Sequence, residues 1–322
     1  MHARALRADR HGVDWGAMRI AIVGAGGVGG YFGGRLQAAG ADVAFLARGA
    51  HLNALCTNGL RLQSPKGDLH LPRVNATDDP RAIGPVDVVL FTVKLYDVES
   101  ALALLPPLLG TDTVVIPFQN GVESVATLTR AIGAKHTAGG TTYITAVIAE
   151  PGLIRHTVMD SLIFGEIDHS RSPRLQRFLA ACAPAHFRST LSDRIEVDIW
   201  SKFVRLSVFS GMTAATRCSI GPIAADPEVF AMLKAAIREA HAVARAKGVP
   251  VPDSIIEDVE EAYSTMAPEA KSSMLQDLER GRRLELPWLS GAVVRIGEEV
   301  GIATPTHRLI VALLRRHIAG KR

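Results

Sequence analysis

Cysteine is scarce in this chain. Cys56, Cys182 and Cys218 are the only three, they lie far apart, and none forms a CxxC pair, so they encode neither a disulfide framework nor a zinc site. No metal-ligand set is expected, and the cytoplasm is the natural compartment. Long apolar runs are missing too: Asp87 and Lys94 bracket the most apolar stretch, and Gly, Thr and Glu punctuate the later ones. None reaches the roughly 18 residues that a membrane helix needs. Nor is there a one-signed excess of charge, because 36 Lys and Arg are interleaved with 32 Asp and Glu for a net +4. That balance demands neither nucleic acid nor a membrane surface, and a phosphate-bearing cofactor, an anionic substrate or a purely solvated surface accounts for it equally.

What is present is apolar substance. Hydrophobic residues make up 48% of the 322 positions, enough to bury a large core, and the length predicts two of them. Residues 1–17 lack the apolar centre of a secretion signal and carry Asp9 and Asp14, which argues against a transit peptide. They are expected to be a disordered extension, and a start codon read too early explains them equally well. Residues 18–190 read as a nucleotide-binding domain and 191–322 as a helical one. The fold class predicted is α/β, with an N-terminal Rossmann-like doubly wound sheet followed by an all-helical C-terminal domain.

From Met18 the order is apolar run, glycine loop, amphipathic stretch closed by Gly40, and a second apolar run. Gly24, Gly26 and Gly29 occupy the three positions of GxGxxG: the first for the tight turn, the second for backbone approach to a pyrophosphate, the third for close helix packing. Gly27 falls inside the same candidate cofactor loop. A merely tight strand-to-helix turn uses the same residues, but the strand before and the helix after supply the context that dinucleotide binding requires. At the end of the second apolar run, where NAD enzymes offer an acidic residue to the ribose, this chain offers Arg48, which favours the 2′-phosphate of NADP(H). An ordinary surface arginine would look the same.

A segment rich in Asn, Asp, Pro and Gly follows, and then VDVVLFTVK, a strand ending at Lys94, with a helical stretch from Val98 to Leu105. TVVIPFQNG gives another strand ending at Asn120-Gly121. Lys94, Gln119 and Asn120 thus fall beyond the carboxyl ends of strands, where doubly wound sheets bind ligands. Lys94 is a cofactor-site candidate, and Asn120 is a candidate for both cofactor and substrate. The β-rich runs on either side of Pro151-Gly152 are expected to extend the same sheet, with His156 as a satisfied structural histidine.

Beyond residue 190 the periodicity becomes helical. One helix is bounded by Asp226 as N-cap, Pro227 in the first turn, and Gly248 with Pro250 as the stop. Another spans DRIEVDIWSKFVRLSVFSGMTAAT, with Trp200, Phe203, Val204 and Phe209 as apolar anchors. Lys202, Leu206 and Ser210 share one face of it, and Ser210 is a candidate substrate contact. In SSMLQDLERGRRLE, Ser273 reads as a helix cap or a substrate contact, and Glu285 as a solvated charge or a site acid.

In this order and spacing the pieces resemble the 2-dehydropantoate 2-reductase (ketopantoate reductase) family: the glycine loop Gly24 to Gly29, Thr92-Val93-Lys94, Asn120-Gly121, Trp200-Ser201-Lys202, Ser272 to Asp277, and Glu285. The resemblance implies NADPH-dependent reduction of a 2-keto acid, by default ketopantoate to pantoate in pantothenate biosynthesis. It places the general acid on Lys202, the substrate carboxylate contact on Ser273 and a further polar contact on Glu285, with Lys94 and Asn120 at cofactor and substrate positions. It also brings departures. Leu206, Ser210 and Ala270 stand where related enzymes often carry Asn, which points to a more apolar 2-keto acid or another carbonyl compound. A 3-hydroxy acid dehydrogenase and a cofactor-binding sensor without turnover are the remaining readings. A homodimer is the default assembly for such a helical second domain.

Overall fold

The computed structural model describes residues 18–321, and the extension expected over residues 1–17 lies outside them. The chain divides into two compact units. Among the described residues, one comprises residues 18–93, Asp97–Phe118 and Thr127–Asp193, and the other Lys94–Tyr96, Gln119–Ala126 and residues 194–321.

The first unit opens with β1 (Arg19–Val23), α1 (Gly27–Ala38), β2 (Asp42–Leu46) and α2 (Gly49–Asn58). Three short strands, β3 (Leu60–Gln63), β4 (Leu69–Leu71) and β5 (Asn75–Thr77), occupy the polar segment that sequence reading left without structure. Then come β6 (Val86–Phe91), the single-turn α3 (Val98–Ala101), β7 (Leu109–Pro117), α4 (Ser124–Ile132), whose residues up to Ala126 belong to the other unit, the long β8 (Gly139–Glu150) and β9 (Leu153–Gly165), α5 (Pro173–Cys182) and β10 (Arg188–Leu191).

A parallel sheet runs β5-β2-β1-β6-β7. Its central strands are buried almost end to end, as Ile20 to Val23 and Val88 to Phe91 illustrate, which is what a sheet covered on both faces requires. Successive strands leave β1 in opposite directions, so the reversal point lies between β1 and β6, where open α/β sheets bind ligands.

The runs around Pro151-Gly152 do not extend that sheet, contrary to expectation. β8 and β9 form an antiparallel hairpin in a second sheet of order β10-β9-β3-β4, in which β9 pairs in parallel with both β3 and β10. Packing against α1 explains this arrangement. Gly27 lies so close to the Ala146 carbonyl of β8 that a Cβ there would collide with it, and Gly30 meets Ile154 of β9. His156 is buried, with Nδ1 2.9 Å from Ser64 Oγ and Nε2 2.6 Å from the Met159 carbonyl, a structural histidine as the sequence suggests.

The second unit is helical: α6 (Ile195–Thr216), α7 (Ile220–Ala225), α8 (Pro227–Ala246), α9 (Ile255–Thr265), α10 (Ser273–Glu279), α11 (Ser290–Val300) and α12 (Pro305–Leu314). Local chemistry sets the ends of α8, since Asp226 Oδ1 accepts from the backbone N–H groups of Glu228 and Val229, and Gly248 follows at φ +90°. Trp200, Phe203, Val204 and Val208 of α6 pack with Leu233, Ile237 and Val243 of α8 in the core of this unit. Among the described residues no helix is long and apolar enough to cross a membrane.

Candidate active site

Two places collect the residues singled out from the sequence. The first is the carboxyl end of β1 in the first unit. Gly24 sits at φ +101°, and a Cβ on it would stand 2.7 Å from the Val93 amide, so both the conformation and the close approach require glycine. Gly29 is pinned in the same way, because a Cβ there would strike the Gly24 carbonyl and Thr92 Oγ1. Gly26 is different. It caps α1 with no side-chain hydrogen bond, and a Cβ on it would find nothing within 4 Å. Space beside Gly26, at the N-terminus of a helix twelve residues long, fits the approach of an anionic group. Gly27, in contrast, is taken up by packing against Ala146.

Beside this loop opens a pocket whose lining includes Leu46, Arg48, Asp78, Val93 and Leu104. Arg48 is exposed and is the N-cap residue of α2, in extended conformation.

The second place lies wholly within the helical unit, which includes the segments Lys94–Tyr96 and Gln119–Ala126. Gly121, at φ +81°, turns the chain against the Trp288 carbonyl and presents Asn120. The Lys202 ammonium donates to Asn120 Oδ1 at 3.1 Å. Asn120 Nδ2 in turn donates to Glu285 Oε2 at 3.1 Å, while Glu285 Oε1 accepts from the Leu95 N–H at 3.3 Å. Lys94 Nζ stands 3.8 Å from Glu285 and 3.7 Å from Asp277, and Arg282 lies 3.9 Å from the other Asp277 oxygen. The result is an alternating chain of charge and amide: Asp277, Lys94, Glu285, Asn120, Lys202.

Glu285 is therefore not a solvated charge: it is 6% exposed and bound on both oxygens. Lys202 is 9% exposed. Burial pulls its ammonium down to about 8, against the Glu285 carboxylate, which pulls the other way. For Lys94 burial works in the same direction, but Glu285 and Asp277 outweigh it and hold that ammonium above the ordinary lysine value. Burial raises the Asp277 carboxyl despite Lys94 and Arg282.

Two predicted residues are not brought into this chain. Ser210, one turn beyond Leu206 on α6, is fully buried and its Oγ has no hydrogen-bond partner. Ser273 is exposed, and the cap of α10 is the neighbouring Ser272, whose Oγ accepts from the Leu275 N–H at 3.0 Å. Sequence reading missed Asp277 as a site residue, although it lies one turn after Ser273 on the same helix face. Leu206 and Ala270 are partly buried and pack against the core of this unit. No group of three or more His, Cys, Asp or Glu side chains among the described residues could hold a metal ion.

The profile of the family described as ketopantoate reductase PanE/ApbA matches residues 20–169, and that of its C-terminal part matches residues 194–318. The chain belongs to the ketopantoate reductase family. It is 32% identical to a 2-dehydropantoate 2-reductase of Mesorhizobium japonicum over 93% of this chain and 97% of that one. It is 31% identical to the uncharacterized oxidoreductase YkpB of Bacillus subtilis, over 94% and 100% respectively. Among solved structures, a PanE/ApbA family ketopantoate reductase from Ralstonia eutropha superposes with a TM-score of 0.85 at 35% identity, over 93% of this chain and 98% of that one. Like the rest of the ketopantoate reductase family, the chain is an oxidoreductase that pairs a parallel nucleotide-type sheet with a helical unit.

Proposed function

We propose that this protein reduces a 2-keto acid to a 2-hydroxy acid with NADPH, ketopantoate to pantoate being the default reaction and pantothenate biosynthesis its setting. The observation that carries the reading is the Lys202–Asn120–Glu285 arrangement, a proton-bearing amine held by an amide that a buried carboxylate orients. Gly24, Gly26 and the N-terminus of α1 would hold the pyrophosphate, and Arg48 would take the 2′-phosphate. When bound, the dihydronicotinamide supplies the hydride. As negative charge builds on the ketone oxygen, the Lys202 ammonium stabilises it and releases a proton from Nζ to complete the hydroxyl. Solvent then returns a proton to Lys202. Asn120 is held in one orientation, because its Nδ2 faces a carboxylate and its Oδ1 an ammonium; the opposite orientation would set like against like at both ends. Ser273 remains the candidate contact for the substrate carboxylate, and Lys94, between its two acids, supports Glu285.

A second reading keeps the chemistry and changes the substrate. Leu206 shares the Lys202 face of α6 and, with Ala270, offers hydrocarbon where an amide would bind a substrate hydroxyl, which favours a 2-keto acid with a plain alkyl side chain.

The test is loss of NADPH absorbance with a panel of 2-keto acids, followed with NADH in parallel. Turnover of ketopantoate supports the first reading, and preference for 2-ketoisovalerate supports the second. Binding of NADPH with no turnover of any member would make the protein a sensor, and turnover that survives Lys202→Ala would remove Lys202 from the mechanism.

A further inference from the structure

The pocket in the first unit carries two charged side chains, and neither is paired. Arg48, after β2, and Asp78, after β5, both line it, yet they form no ion pair with each other and neither side chain has a hydrogen-bond partner among the described residues. The adjacent Asp79 is fully engaged, with one oxygen accepting from the Arg81 N–H and Nε and the other from the Arg81 guanidinium. The remaining lining is mainly apolar, from Leu46, Ala47, Val93 and Leu104, which suits the faces of a flat ring system. Both charged side chains are exposed, and such a pocket suits a ligand with an anion at one place, a hydrogen-bond donor at another, and an aromatic body between.

Strand order says which donor. Counted outward from the glycine loop, β1, β2 and β5 are consecutive neighbours, so Arg48 is one strand and Asp78 two strands from the pyrophosphate position, in steps of about 4.8 Å. A dinucleotide laid across these ends places pyrophosphate at β1, ribose at β2 and base at β5. A carboxylate only accepts hydrogen bonds at neutral pH, so it repels the 2′-phosphate and requires a donor on the base. We propose that Asp78 accepts a hydrogen bond from the 6-amino group of adenine and makes this site selective for a 6-aminopurine. The proposal rests on the dinucleotide reading above and adds the residue that identifies the base. A 6-oxopurine in the same position would set a carbonyl oxygen against the carboxylate, two acceptors with no proton between them.

The test is equilibrium binding by fluorescence titration, without keto acid, of NADPH and its deaminated hypoxanthine analogue. The proteins are the wild type, Asp78→Ala, Asp78→Asn and Arg48→Ala, each checked by thermal melting. The wild type is expected to favour NADPH by about tenfold, the scale of one hydrogen bond to a charged group. Asp78→Ala should bring the ratio close to one. Asp78→Asn should do at least as much, since its amide can turn its NH2 toward the carbonyl. Arg48→Ala should weaken NADPH relative to NADH while keeping the base preference. An Asp78→Ala ratio equal to the wild-type ratio overturns the proposal and leaves the dinucleotide reading standing. The same holds if Asp78→Ala weakens both nucleotides equally, the signature of a ribose contact. Wild-type protein that binds neither nucleotide overturns both.

Discussion

Lys202 and Asn120 meet at 3.1 Å across 82 residues of sequence, and the contact holds a charged amine in a place where burial has already cut its hold on a proton. An ordinary lysine, near 10.4, is a reluctant acid at neutral pH. At about 8 this one still carries its proton at pH 7 yet gives it up far more readily, as a general acid should.

Replacing the amine separates catalysis from stability. Lys202→Met is expected to lower kcat by roughly 10²- to 10⁴-fold, the usual contribution of a positioned acid. Its melting temperature should equal or exceed that of the wild type, because an apolar side chain of similar length removes a buried charge. A depressed native value also means that the unfolded chain binds more protons between about 8 and the ordinary lysine value, so stability attributable to Lys202 grows as pH rises through that window. A melting point lowered by several degrees would show Lys202 to be a structural prop.

The pH profile follows from the same depression. The rate of keto acid reduction should decline as pH rises through about 8, where Lys202 loses its proton. Glu285 pulls this value upward, so Glu285→Gln should move the inflection to lower pH as well as reduce the rate. An inflection that stays in place in Glu285→Gln would dissociate the two residues electrostatically.

Adjacent glycines should fail in different ways. Gly26→Ala adds a methyl to open space, so the protein should fold with an unchanged melting curve while NADPH binding weakens by tenfold or more, the methyl occupying room reserved for the pyrophosphate. Gly27→Ala drives a methyl into the Ala146 carbonyl and should cost stability of the order of 1–3 kcal/mol, as overpacking does. Melting curves and nucleotide titrations on both variants check this, and a Gly27→Ala protein as stable as the wild type would refute the packing role.

Leu206→Asn restores an amide four residues beyond Lys202. The ratio of kcat/KM for ketopantoate to that for 2-ketoisovalerate should rise by about tenfold, since only the former has a hydroxyl for the amide to bind. An unchanged ratio would mean that this position does not contact the substrate side chain.

Much of this was legible from residue order. The boundaries of α8 follow from Asp226, Pro227 and Gly248, and the glycine loop announces its strand and helix, because these signals act within a few residues. What stayed hidden depends on distant partners. β9 has an ordinary strand pattern, but nothing in it says that its neighbours are Leu60–Gln63 and Arg188–Leu191 rather than the parallel sheet. β5 is three residues long and owes its existence to pairing with β2. At the site, the family motif pointed to Lys202 and Glu285, whereas the burial of Glu285 and the place of Asp277 in the charge chain arise only when segments far apart in sequence converge. Ser210 shows the reverse: helical spacing puts it on the Lys202 face, but the packing of neighbouring helices seals it in.

Lys94 and Asn120 come from the short stretches Lys94–Tyr96 and Gln119–Ala126, which leave the first half of the chain to join the helical unit. Dividing the gene near residue 193 would therefore strip the helical fragment of the amide that holds its lysine and of the cation beside its glutamate. Neither half can be grafted onto another protein as a self-sufficient catalytic cassette, and exchange of helical portions between relatives should succeed only when those two short insertions travel with them.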